Sequence, residues 1–227
     1  MPASVIAERI GWAHSSSILR TKVAELRPEY RGVDPADRLA FLPGQTIHCD
    51  LWFLAVKIPV GAGQERVLPV LVMVLAYSRV ISAVMLQSRQ AGDLTSGMWQ
   101  LLEAIGRVPR TLVWDREAAF GGAGKPTTAD SAFTGALGTS LKLAPARDPE
   151  FKDVVERANQ YLETSFLPGS VFASPEDFNV QLHGWLPRAN SRRVRALGAK
   201  PVELFEQDRQ AMIPLPPIAP PHSRTRS

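Results

Sequence analysis

Several things are scarce in this 227-residue chain, and each scarcity excludes a class of protein. There is one cysteine, Cys49, so no disulfide can form within the chain, and a reducing compartment suits it. Four histidines stand far apart, at 14, 48, 183 and 222, and with a single cysteine they give no zinc-ligand spacing. Long hydrophobic runs are missing: the most apolar stretch, Val67 to Tyr77, is too short to cross a bilayer. The N-terminus shows no basic segment followed by an apolar one, so no signal peptide is expected. Together these point to a cytoplasmic chain with no membrane partner. Acidic residues are outnumbered, 22 against 26 Lys and Arg, and the net charge of +4 tilts the partners toward nucleic acid or another anionic surface.

What is present is a core. Hydrophobic residues make up 45% of the chain, and their pattern changes along it. Residues 1–40 read as a helical N-terminal segment and linker, 41–187 as one core, and 188–227 as a basic and proline-rich C-terminal extension. Within the core, strands are expected over 45–53, 67–76, 80–87, 111–114 and 140–144, and helices over 93–105, 129–137, 148–166 and 174–186. Val67 to Ala76 is apolar throughout and reads as buried on both faces. The order β-β-β-α-β-α-β-α predicts an α/β fold with a mixed five-stranded sheet flanked by helices.

Three acidic residues stand out against this frame. Asp50 follows Thr46-Ile47-His48-Cys49 on the first strand, where alternation gives Ile47, Cys49, Leu51 and Phe53 the core face and turns Asp50 away from it. Asp115 closes the apolar strand Thr111-Leu112-Val113-Trp114 ahead of a glycine loop, a common ligand position in α/β sheets. Glu117 competes with it but lies past the strand end. Glu156 falls on a helix stripe with Lys152, Asn159 and Glu163, opposite the apolar Val154, Val155, Ala158, Tyr161 and Leu162. Each has an ordinary reading when taken alone: a turn Asp, an N-cap, a solvated helix face. In this order, on these elements, three converging carboxylates can hold divalent metals for attack on a phosphodiester.

The runs His48-Cys49-Asp50-Leu51-Trp52, Leu112-Val113-Trp114-Asp115 and Val154-Val155-Glu156-Arg157 resemble those of the retroviral-integrase-like DDE transposases. With Phe166-Leu167-Pro168-Gly169 and Phe172 through Asn179, the resemblance narrows to the IstA-type insertion-sequence transposases. It implies a ribonuclease-H-like sheet, with Asp50, Asp115 and Glu156 as catalytic residues binding two Mg²⁺ or Mn²⁺ ions. It also implies cleavage and transfer of DNA strands at transposon ends and target, a homo-oligomer on DNA, and an AAA+ helper ATPase as partner. Lys152, Asn159, Arg188, Arg192, Arg193 and Arg195 are the expected DNA contacts, since clustered arginines pair with phosphates. Members of the family are longer at both ends, so this chain reads as truncated, with residues 1–40 as a helix-turn-helix remnant. The alternative is an inactive remnant that acts at most as a DNA-binding protein. A ribonuclease-H-like nuclease unconnected with transposition fits the Lys-x-x-Val-Glu-Arg helix less well.

Overall fold

A computed structural model describes residues 6–7, 9–30, 41–114, 128–144 and 149–220, with backbone alone at 27–30, 129 and 149–152. The chain divides into two units, Met1–Arg38 and Leu39–Ser227. The first carries helix α1, Ser16–Tyr30, at whose start the Ser15 hydroxyl accepts the Ser17 N–H at 3.3 Å. An exposed Lys22–Glu25 ion pair lies along it. Among the described residues no helix is long and apolar enough to cross a membrane.

The second unit is built on β1, Thr46–Phe53, at the centre of a five-stranded sheet. On one side β4, Pro69–Leu75, runs antiparallel to β1, and β5, Ile81–Met85, antiparallel to β4. On the other, β7, Thr111–Trp114, runs parallel to β1, and β8, Ser140–Leu143, parallel to β7. The sheet is therefore mixed, in the order β5-β4-β1-β7-β8. Two strand pairs stand outside it. β2, Ile58–Gly61, and β3, Gln64–Arg66, form a hairpin; β6, Arg107–Val108, pairs with β9, Ile213–Pro214. The five-stranded α/β sheet is the one the element order predicts; the two small pairs are not legible in periodicity.

Helices cover both faces. α2, Ala91–Ile105, and α3, Thr128–Leu137, bury Leu94, Met98, Leu102 and Phe133 against Ile47, Cys49, Leu71, Met73 and Trp114. α4, Pro149–Ser165, and α5, Pro175–Asn190, bury Val155, Leu162, Phe178 and Leu182 against Val70, Val72 and Val74. Every residue of β4 is buried, as its unbroken apolar run predicts. The expected split of β1 into a core face and a polar face needs correction. His48 and Trp52 are buried too, at 2% and 6% exposure, while Phe53 is 45% exposed. With a helix layer on each side, alternation separates two cores rather than core from solvent, and Phe53 lies where the cover has run out.

An edge strand leaves one row of N–H and C=O groups unpaired. At β5 two asparagines of α5 take their place. Asn190 accepts the Ile81 N–H and donates to the Ile81 carbonyl, both at 2.9 Å. Asn179 does the same at Met85, at 2.8 and 3.2 Å. Each side-chain amide thus imitates the peptide of a neighbouring strand.

Residues 188–220 are tied into this unit through α6, Pro201–Gln210. Its Asp208 is 1% exposed and accepts the Gly44 N–H at 2.6 Å and the Ser78 N–H at 3.1 Å, joining the entry to β1 with the β4–β5 turn. Gly44 has φ +70°, and a Cβ there would collide with the Ala211 backbone, so no other residue fits. Removing the carboxylate leaves two buried N–H groups unpaired, at about 1–3 kcal/mol each. Urea unfolding of Asp208→Ala is expected to show a loss of roughly 2–6 kcal/mol, with Asp208→Asn, which keeps one acceptor, in between.

Candidate active site

Asp50 stands where the sheet changes direction. From β1 the chain moves outward to β4 and β5, then crosses by α2 to β7 and β8 on the other side. The β1–β7 pair is the topological switch point, beside which open α/β sheets place their ligands. The β1–β7 register pairs Cys49 with Trp114, the last residue of β7, one step before Asp50. Asp50 is half-buried. Its Oδ1 accepts the Leu51 N–H at 2.9 Å, and its Oδ2 accepts Asn159 Nδ2 of α4 at 2.8 Å. The adjacent Cys49 thiol is buried, which pushes its pKa well above the usual thiol range, and the Asp50 carboxylate adds to that rise.

The bond to Asn159 orients α4. Val154, Val155, Ala158 and Leu162 anchor the helix to the sheet, and Asn159 lies at the rim of that contact. An ionised carboxylate only accepts, so the NH₂ of Asn159 must face Asp50. Its Oδ1 is then left buried with no hydrogen-bond partner. Glu156 is exposed and lies three residues before Asn159, so the two Cβ atoms are about 5–6 Å apart on one helix face. Asp153 and Arg157 form an ion pair at 2.8 Å on the neighbouring face.

The structure thus brings Asn159 onto Asp50 and sets Glu156 one turn away. Asp115 and Glu117 lie outside the described residues, as does the side chain of Lys152. Among the described residues no three His, Cys, Asp or Glu side chains group to hold a metal ion. Asn159, an expected DNA contact, is bonded here to Asp50. The i, i+3 spacing from Glu156 shows the shared helix face, but the strand it meets is not legible in sequence.

The basic stretch divides. Arg188, Arg193 and Arg195 are exposed. Arg192 instead lies over the Tyr161 ring, 3.8 Å from its centroid, and donates through Nη1 to the Ala189 carbonyl at 2.8 Å. Burial there lowers its pKa from the ordinary arginine value, with Tyr161 opposing the shift. Tyr161 follows Asn159 by two residues, or 200° of helix, so Arg192 and Asp50 meet opposite edges of α4.

The Phe172–Asn179 run is architectural. Ser174 caps α5 by accepting the Asp177 N–H at 3.2 Å, and Asp177 accepts the Ala173 N–H at 2.9 Å. The Ala173 N–H, followed by the Gln181 side-chain amide, holds the Asp177 carboxyl below its usual pKa. Phe172 and Phe178 pack on Phe166 with ring centroids 5.7 and 5.5 Å away, and Asn179 closes the β5 edge.

No family model matches the chain. A putative transposase for insertion sequence element IS5376 from Geobacillus stearothermophilus is 28% identical over 184 residues, covering 78% of this chain and 46% of that protein. The chain therefore spans about half the length of this relative. The catalytic core domain of BIV integrase superposes with a TM-score of 0.54 at 16% identity, covering 74% of this chain and 97% of that one. A chain of the simian T-cell lymphotropic virus intasome in complex with PP2A regulatory subunit B56 gamma superposes with a TM-score of 0.56 at 16% identity. There the match covers 83% of this chain and 60% of that one. The fold is that of an integrase catalytic core, ribonuclease-H-like, and the chain has a putative transposase among its relatives.

Replacing Arg192 tests its structural part. A cation–π contact is worth about 0.5–2 kcal/mol, depending on how far it is desolvated. Arg192→Ala should lower unfolding stability by about 1–2 kcal/mol, while Arg195→Ala should stay within about 0.5 kcal/mol of the parent. Equal effects in denaturant titrations would reject the distinction.

Proposed function

We propose that this chain is the catalytic region of a DDE transposase of the IstA type, which cuts and joins DNA strands at transposon ends. The observation that carries it is the hydrogen bond from Asn159 to Asp50. That bond sets the Glu156 face of α4 beside the strand carboxylate at the switch point of the sheet. The likeness to a transposase and the integrase-core fold support the same reading.

Asp115 is the third carboxylate in this reading. It follows Trp114, the residue paired with Cys49, directly in the chain. Glu117 is the substitute to test should Asp115 fail. The residues fit hard cations: two of the three carboxylates lie on facing elements, and the partnerless Asn159 Oδ1 adds another oxygen. Asp50, Asp115 and Glu156 would hold two Mg²⁺ or Mn²⁺ ions, which when bound supply Lewis acidity to the attacking and leaving oxygens. Asn159 fixes the Asp50 carboxylate in one orientation, as partners of metal ligands do. Lys152, one turn before Glu156, and the exposed Arg188, Arg193 and Arg195 supply positive charge for phosphates. A homo-oligomer on DNA and an AAA+ helper ATPase belong to the same proposal, as does action in the cytoplasm.

Labelled duplexes with pre-cut ends and Mn²⁺ provide the test. Asp50→Asn should abolish cleavage and joining while DNA binding holds or tightens, because one negative charge near phosphate is lost. Asn159→Ala should retain activity reduced by about 10–100-fold, partly restored by raising Mn²⁺. An Asp50→Asn protein as active as the parent, with contaminating nuclease excluded, would reject the reading.

A further inference from the structure

The face of the sheet that carries Asp50 is buried on β5, β4, β1 and β7, with His48 of β1 and Val113 of β7 at 2% and 4% exposure. In-register neighbours point to the same face of a sheet, so His48 of β1, Val113 of β7 and Lys142 of β8 form one row across it. Cys49, Trp114 and Leu143 form the next row, on the opposite face, where they join the α2–α3 core. Asp50, two residues beyond His48, returns to the first face. There α4 lies over β1 and β4, and α5 over β5. On β8 the same face carries Ser140 and Lys142, both exposed, and Lys142 makes no ion pair among the described residues.

Two strand spacings and a two-residue offset put the Lys142 Cα about 12 Å from that of Asp50. A lysine stem spans about half of that, and successive nucleotides of one strand advance about 3.4 Å along the helix axis. The basic stretch around Arg192 is less well placed for the same DNA, because it leans on the opposite edge of α4.

We propose that Lys142 is a positioning residue for the substrate, binding a DNA backbone phosphate two to four nucleotides from the bond held at Asp50. The β8 face is then the floor on which the strand lies. This rests on the reading of the Asp50 site as one that acts on DNA. The plainer role for a lysine on an edge strand is to block pairing with other chains, and the experiment separates the two.

Cys49 is the single native cysteine and is buried, so Lys142→Cys in the full chain carries one accessible thiol. Duplexes with a thiol tether at successive backbone positions should form a disulfide to it, peaking two to four nucleotides from the reacting phosphate. Arg195→Cys, across α4, should not share that peak. Lys142→Gln should make the slope of log affinity against log salt shallower by about 0.9, the contribution of one phosphate contact, and Lys142→Arg should restore it. If DNA is bound and cut but neither the cross-link nor the slope depends on residue 142, the proposal fails and the catalytic reading stands. Self-association of Lys142→Gln with unchanged DNA binding would assign the lysine to edge protection instead. If the parent neither binds nor cuts DNA, the catalytic reading fails and takes the proposal with it.

Discussion

A strand covered by helices on both faces has little room for a carboxylate, because burying an unpaired charge costs several kcal/mol. β1 is such a strand, with Ile47 and Cys49 packed into one core and His48 and Trp52 buried on the other side. Asp50 is tolerated because it sits at the rim of the α4 contact, half-buried and hydrogen-bonded to Leu51 and Asn159. The rest of the unit is arranged around that position. β4 and β7 flank β1, α4 stops short of covering Asp50, and Asp208 secures the turn that leads into the strand.

α4 then acts as a divider. One edge carries Glu156 and Asn159, the latter bonded to Asp50; the other carries Tyr161, on which Arg192 and Trp185 pack. Charge is distributed accordingly. Carboxylates gather on one side of the helix, and the arginine-rich turn after α5 is held on the other, partly by an aromatic ring rather than left for solvent. A nucleic acid bound at both would have to cross α4, whereas Lys142 of β8 lies on the same sheet face as Asp50.

Much of this was legible in the sequence. β7 has its expected bounds because Thr111 and three apolar residues stand between Arg110 and Asp115, and α5 starts as Ser174-Pro175 requires. Glu156 could be placed on an exposed helix face because helical spacing alone decides it. What could not be read depends on contacts between distant segments. The two-residue β6–β9 pair has no periodicity to detect. Alternation in β1 shows two faces but not that both are covered. Arg192 and Arg195 look alike in a basic run, and only the position of Tyr161 separates them. Asn159 is three residues from Glu156 in the chain and 109 from Asp50, and the second relation is the one the structure shows. The place of Asp115 lies outside the described residues, so the third carboxylate rests on its covalent link to Trp114.

Asp50, Asp115 and Glu156 are proposed to form one cation site. Anomalous diffraction from crystals of the full chain soaked in Mn²⁺ tests it most directly. Manganese peaks bounded by oxygens of Asp50, Asp115 and Glu156, with Asn159 still bonded to Asp50, are the expected result. Peaks that involve Glu117 in place of Asp115, or that lie away from Asp50 altogether, would contradict it.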